Sequence, residues 1–154
     1  MREIQATLPH LCEPTPHLFL AGSIEMGAAE RWQDKVVAAL RCYGGTILNP
    51  RRDDWDSSWE QSIENPQFVE QVEWELSAMD TAEIVACYFS PDTKSPITLL
   101  ELGQFHHKMV VYCPAGFWRK GNVDVFCRKY EVPQARTWDE WIAWLASKLR
   151  KENS

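Results

Sequence analysis

The sequence predicts a three-layer α/β/α sandwich built on a mainly parallel sheet of four or five strands. Two observations carry this. Short apolar runs, His17-Leu-Phe-Leu-Ala21, Thr46-Ile-Leu-Asn49, Ile84-Val-Ala-Cys-Tyr-Phe89 and Met109-Val-Val-Tyr-Cys113, alternate with longer stretches of helical period. Strands buried on both faces read as continuous apolar runs, as these do.

Taken in order, residues 1–16 carry Pro9, Pro14 and Pro16 and no clear period, so they read as an arm or a short edge strand. The first strand enters Gly22-Ser-Ile-Glu-Met-Gly27 and then a helix from about Ala28 to Arg41, with Trp32, Val36, Ala39 and Leu40 on its core face. Gly44-Gly45 ends that helix, and strand 46–49 completes a βαβ unit. Asn49 to Trp59 is a polar loop holding two arginines, three aspartates and two tryptophans, the composition of a ligand-covering loop or of a solvated surface.

A helix over 66–79 follows, with Phe68, Val72, Leu76 and Met79 as its predicted core stripe. Beyond strand 84–89 a turn-rich loop leads to Ser95 as N-cap and Pro96 as first residue of a helix to about Lys108. A helix over 123–129, a brief strand at 134–136 and a helix from the Thr137 cap to Lys151 complete a single domain over 1–154.

A net charge of −6 gives no electrostatic case for nucleic acid. No apolar run approaches membrane-spanning length, which argues against a membrane partner. The five cysteines form no C-x-x-C pair, and their odd count fits a reducing cytoplasm. Metal hydrolysis is disfavoured because His106 and His107 are adjacent and face different ways, so neither a metal nor a cofactor is expected. The G-x-S-x-G elbow, the P-loop and the G-x-G-x-x-G fingerprint are all missing.

What remains is Glu101, set between leucines in the second turn of its helix. A carboxylate there is costly to bury without a partner. The helix N-terminus is expected to favour its ionised form. Glu75, beside Trp74 on the preceding helix, offers a second carboxyl. Two carboxyls in different environments suit cleavage of a glycosidic bond, one attacking or stabilising C1′ and the other protonating the leaving group.

Three segments, Gly22-Ser-Ile-Glu-Met-Gly27, Asn49-Pro-Arg-Arg and Ser95-Pro-Ile-Thr-Leu-Leu-Glu-Leu-Gly103, resemble the signature of the nucleoside 2-deoxyribosyltransferase-like proteins, and the similarity spans residues 17–133. The resemblance implies a flavodoxin-like fold, Glu101 as a nucleophile that forms a glycosyl ester, and Glu75 as the acid that exchanges a proton with the nucleobase. Together with the rim that the loops after the strands share, it points to a site lined by Phe19, Gly22, Ser23, Glu25, Asn49, Arg51, Arg52, Trp55, Ser95, Thr98 and Asn122. Asn122 corresponds to an asparagine that reaches into a neighbouring subunit's site, and the substrates implied are a nucleoside or nucleotide and a free nucleobase.

Two positions depart from the family's pattern. Phe19 stands where a tyrosine is usual, and Ser95 where an aspartate often binds the sugar hydroxyl. Related nucleotide N-glycosidases use serines here to hold a 5′-phosphate, for which Ser23, Ser95, Arg51 and Arg52 are suited. Three functions therefore stay open: 2-deoxyribosyl transfer, nucleotide N-glycosidic hydrolysis, and a nucleotide-sensing module without turnover. The aromatic segments Trp55, Trp59, Trp74, Phe117 and Trp118 exceed the need of one small core, so a homodimer or larger even-numbered assembly is expected.

Overall fold

The computed structural model describes residues 1–25 and 29–154; Gly27 and the predicted helix start at Ala28 lie outside them. Six strands, β1 (Arg2–Gln5), β2 (His17–Gly22), β3 (Thr46–Asn49), β4 (Ile84–Tyr88), β5 (Met109–Tyr112) and β6 (Gln134–Ala135), form one parallel sheet in the order β1-β3-β2-β4-β5-β6. The sheet is wider than expected because the proline-rich arm contributes β1, which pairs with β3 from Arg2↔Thr46 to Gln5↔Asn49. Without that edge strand the order is that of a flavodoxin-like sheet.

Five helices cover it: α1 (Trp32–Leu40), α2 (Pro66–Thr81), α3 (Pro96–Phe105), α4 (Lys120–Lys129) and α5 (Trp138–Glu152). Side chains alternate along each strand, and the alternation divides the core in two. Phe19, Leu48, Val85, Cys87 and Val111 face α2, α3 and α4. Leu18, Leu20, Ile47, Ile84, Ala86 and Val110 face α1 and α5, where Trp32 and Trp141 are fully buried. A fully buried aliphatic side chain contributes about 1.5–3 kcal/mol, so these two layers hold the sheet.

The chain leaves β2 for β3 by way of α1 on one face, then returns past β2 to β4 by way of α2 on the other. The direction reverses between β2 and β4, and a crevice opens beyond their carboxyl ends. Gly22 ends β2 at that point. A Cβ there would lie 2.5 Å from the Tyr88 carbonyl oxygen and 2.6 Å from the Trp32 ring, so only glycine permits the approach.

Several helix faces differ from the expected ones. On α1, Ala39 is exposed and Gln33 takes the buried place beside Trp32, Val36 and Leu40. On α2 the buried residues are Gln71, Trp74, Ala78 and Met79, while Leu76 is exposed. That helix is turned so that two polar positions, Gln71 and Glu75, point inward with Trp74. On α3, Ile97 and Leu100 are exposed, and the buried face is Thr98, Glu101, Leu102 and Phe105. Among the aromatic residues expected to form a surface patch, Trp74 and Phe117 are buried and Trp118 is half exposed.

Candidate active site

Ser23, just past β2, anchors the crevice. The Trp32 indole Nε1 donates to its carbonyl oxygen at 2.9 Å, and the Ser90 amide donates to its Oγ at 3.0 Å. Its hydroxyl meets those of Thr93 at 2.7 Å and Ser95 at 2.5 Å, and Thr93 and Ser95 meet at 2.8 Å. All three residues are buried. Ser95 occupies the N-cap position of α3 in the left-handed conformation, φ 46°, but its hydroxyl joins this triangle instead of capping the helix. The cap is supplied from across the crevice. Glu25 Oε1 accepts from the Lys94 and Ser95 amides at 3.2 and 3.0 Å. Thr93 was not singled out by sequence, although it lies in the same turn-rich loop as Ser95 and a hydroxyl there is the visible signal.

One turn further, α3 presents Glu101 inward. Its side chain is buried and has no hydrogen-bond or ion-pair partner among the described residues. Burial, reinforced by the charge of Glu75, pushes its carboxyl up from 4.5 to about 8. The expected ionisation by the helix N-terminus fails because that effect fades within the first turn and Glu101 lies in the second. Among the described residues no cation offsets this shift. Beneath it the Cys87 thiol is held protonated by burial and then by the Glu101 charge.

Glu75 comes from α2. By surface it is half-buried, yet protein packs round it closely enough that burial pushes its carboxyl up to about 7. Gln71, one turn earlier, donates from Nε2 to Glu75 Oε1 at 2.7 Å and to the Pro50 carbonyl at 3.0 Å. The first of these bonds favours the ionised form and opposes the shift. Trp74 walls the pair against Phe19, with ring centroids 6.4 Å apart, and its Nε1 is held by the Leu8 carbonyl at 2.8 Å.

The arginine loop is arranged for structure. Arg51 is buried, with Nη1 donating to the Glu30 carbonyl and Nη2 to the Ala29 carbonyl, each at 2.8 Å. Arg52 grips Asp54 through Nε at 2.6 Å and Nη2 at 2.8 Å, reaches Gln71 Oε1 at 3.5 Å, and lies over the Trp59 ring. Asn49 bridges Glu3 and the Arg51 amide. Trp55 packs edge-on against Trp59, their centroids 5.0 Å apart. Asn122 lies apart from these residues, exposed on α4 in a shallow groove with Val125, Phe126 and Tyr130. Thr98 is buried one turn before Glu101.

Glu75 on α2 and Glu101 on α3 thus face the same side of the sheet as the hydroxyls at the start of α3, near enough for the charge of Glu75 to raise the Glu101 carboxyl. The profile of a family described as "Nucleoside 2-deoxyribosyltransferase like" matches residues 15–117, which include both glutamates and the whole crevice. The chain belongs to this family. No curated protein matches it. Among the described residues no helix is long and apolar enough to cross a membrane, and no cluster of three or more His, Cys, Asp or Glu side chains has the arrangement of a metal site.

Proposed function

We propose that this nucleoside 2-deoxyribosyltransferase-like protein is an enzyme acting at the N-glycosidic bond of a deoxynucleoside, with Glu101 as nucleophile and Glu75 as proton carrier. The observation that carries this reading is the Glu75–Glu101 pair itself. Two carboxyls raised to about 7 and about 8 hold one proton between them near neutral pH. A displacement at C1′ uses one carboxylate and one carboxylic acid at the same moment.

In the free protein the proton rests more on Glu101. It passes to Glu75 as the substrate enters. Glu101, now ionised, attacks C1′ and forms the ester. The C1′–N bond breaks with its electron pair going to the base, which takes the proton from Glu75. A second nucleobase then gives its proton back to Glu75 and attacks C1′, releasing Glu101 and completing 2-deoxyribosyl transfer. Water in place of the second base makes the same cycle a hydrolysis.

The family match supports the reaction class, and the raised carboxyls support the division of roles. Exposed Ile97 and Leu100 on α3, and Val125 and Tyr130 on α4, support an even-numbered homo-oligomer joined through this side. His106, at the end of α3, packs edge-on against Phe126 and at a tilt against Tyr130, which joins the two helices into one surface. In such an assembly Asn122 would approach a partner's site.

The test is incubation with a panel of deoxynucleosides, each with and without a different free base. Transfer predicts a new nucleoside in the mixed samples. Free base and sugar alone would mean hydrolysis, and binding without any release would mean a sensing module.

A further inference from the structure

We propose that the N-terminal arm, through the Leu8 carbonyl and the His10 ring, is a positioning element that fixes the rotation of α2 and so turns Gln71 and Glu75 inward, an inference that rests on the reading of Glu75 as proton carrier. The rotation of this helix is not set by its own apolar residues. They would turn Leu76 to the core, yet Leu76 is exposed and Val72 is only half-buried, while the polar Gln71 is buried with Trp74. A contact from outside the helix has to hold it in this turn.

The arm supplies that contact. It is anchored on both sides, by the pairing of β1 with β3 and the Ala6 amide on the Asn49 carbonyl at 3.0 Å, and by Thr46 Oγ1 on the Pro14 carbonyl at 2.8 Å. Between these anchors the Leu8 carbonyl accepts from Trp74 Nε1 at 2.8 Å. The His10 ring stands against the Trp74 ring, centroids 5.5 Å apart and planes at 74°. Trp74 also meets Phe19 of β2, so the indole is held from the arm and from the sheet at once. Neighbouring residues of an α-helix point about 100° apart, so a fixed Trp74 fixes the direction of Glu75.

His10 itself is the second sign. It is buried, and its Nε2 has no hydrogen-bond partner among the described residues. An unpaired polar atom in such a place carries a cost that an apolar residue would avoid. Burial, and then the charge of His17, lower its pKa from 6.5, so the ring is neutral at neutral pH. A neutral ring packed edge to face is what the Trp74 contact uses.

The experiment is carbon-13 NMR titration of the glutamate carboxyls in wild type, His10→Ala, His10→Phe and Trp74→Phe, the Glu75 signal being the one that Glu75→Gln removes. Wild-type Glu75 should titrate at about 7. His10→Ala loosens the contact, and Trp74→Phe keeps a ring but loses the donor to Leu8. Both should let water reach the carboxyl and lower its pKa by about half a unit or more, because burial is the larger cause of the shift. His10→Phe, which keeps an aromatic ring against Trp74, should hold the wild-type value. Variants that melt earlier yet leave Glu75 at about 7 would overturn the inference, since an arm that only adds stability has that effect. Base release is scored separately on the same samples, so a protein without turnover still decides the role of the arm.

Discussion

Glu75 and Glu101, brought from α2 and α3 to the same face of the sheet, have no cation beside them among the described residues, and burial, then the charge of Glu75, raises the pKa of Glu101. This relationship has a thermodynamic consequence. An acid whose pKa is raised on folding stabilises the native state while protonated. The contribution is complete below the ordinary value of 4.5 and is lost as pH rises through about 7 and about 8. Thermal melts of wild type should show this stability falling from about pH 5 to about pH 8. Glu101→Gln, which carries no titrating proton, should flatten the fall and be the more stable protein at the alkaline end by more than about 1 kcal/mol. Parallel melting curves would contradict the shift.

The same pair sets the pH dependence of the reaction. Activity should rise as the first proton leaves the pair and fall as the second leaves, giving a narrow maximum between limbs near about 7 and about 8. The check is kcat/KM against pH at fixed ionic strength. A rate that is flat from acid to alkaline pH would mean that the pair does not carry the proton.

Gln71 tunes this pair through its bond to Glu75. Its Nε2 donates to Glu75 Oε1 at 2.7 Å and thereby favours the carboxylate. Gln71→Ala should move the acid limb of the profile upward and cost about 1 kcal/mol of stability from the lost bonds. A merely structural role would lower stability and leave the limb where it is.

Much of this was legible in the sequence, for identifiable reasons. Leu18, Leu20, Ile47, Ile84, Val85, Cys87, Val110 and Val111 are all buried in the sheet, because short apolar runs between helical stretches admit little else. The rotation of α2 was not legible. Its inward face carries Gln71 beside the candidate acid Glu75, while Leu76 reads as core and is exposed. The charge state of Glu101 was hidden for a related reason. Position on a helix suggests ionisation, and burial, reinforced by the charge of Glu75, reverses it. The arginines of the Asn49–Trp59 loop read as ligand groups because sequence does not show that Asp54 and two backbone carbonyls already hold them.

Gly22 tests the geometry of the crevice. Gly22→Ala would drive a methyl group against the Tyr88 carbonyl and the fully buried Trp32. Overpacking of this kind costs about 1–3 kcal/mol, so a drop in urea midpoint is expected. An unchanged midpoint would mean that β2 and α1 are less tightly held than the distances imply.

The α3–α4 surface tests the proposed assembly. Leu100 and Val125 are exposed, and replacing each with Glu should leave a single folded chain intact while opposing association. Sedimentation at micromolar concentration should show wild type at an even multiple of the chain mass and the double variant as a monomer. A monomeric wild type would remove the oligomer from the account.

The central claim is that Glu101 bonds covalently to the sugar. Removing its charge takes away an interaction made at the transition state, so Glu101→Gln should retain binding and lose turnover. The most direct measurement is mass spectrometry of protein quenched during reaction with a deoxynucleoside, followed by proteolysis. The account predicts a peptide containing Glu101 that is heavier by one deoxyribosyl group, and no such peptide from Glu101→Gln. Substantial base release by Glu101→Gln, or a sugar adduct on another residue, would contradict it.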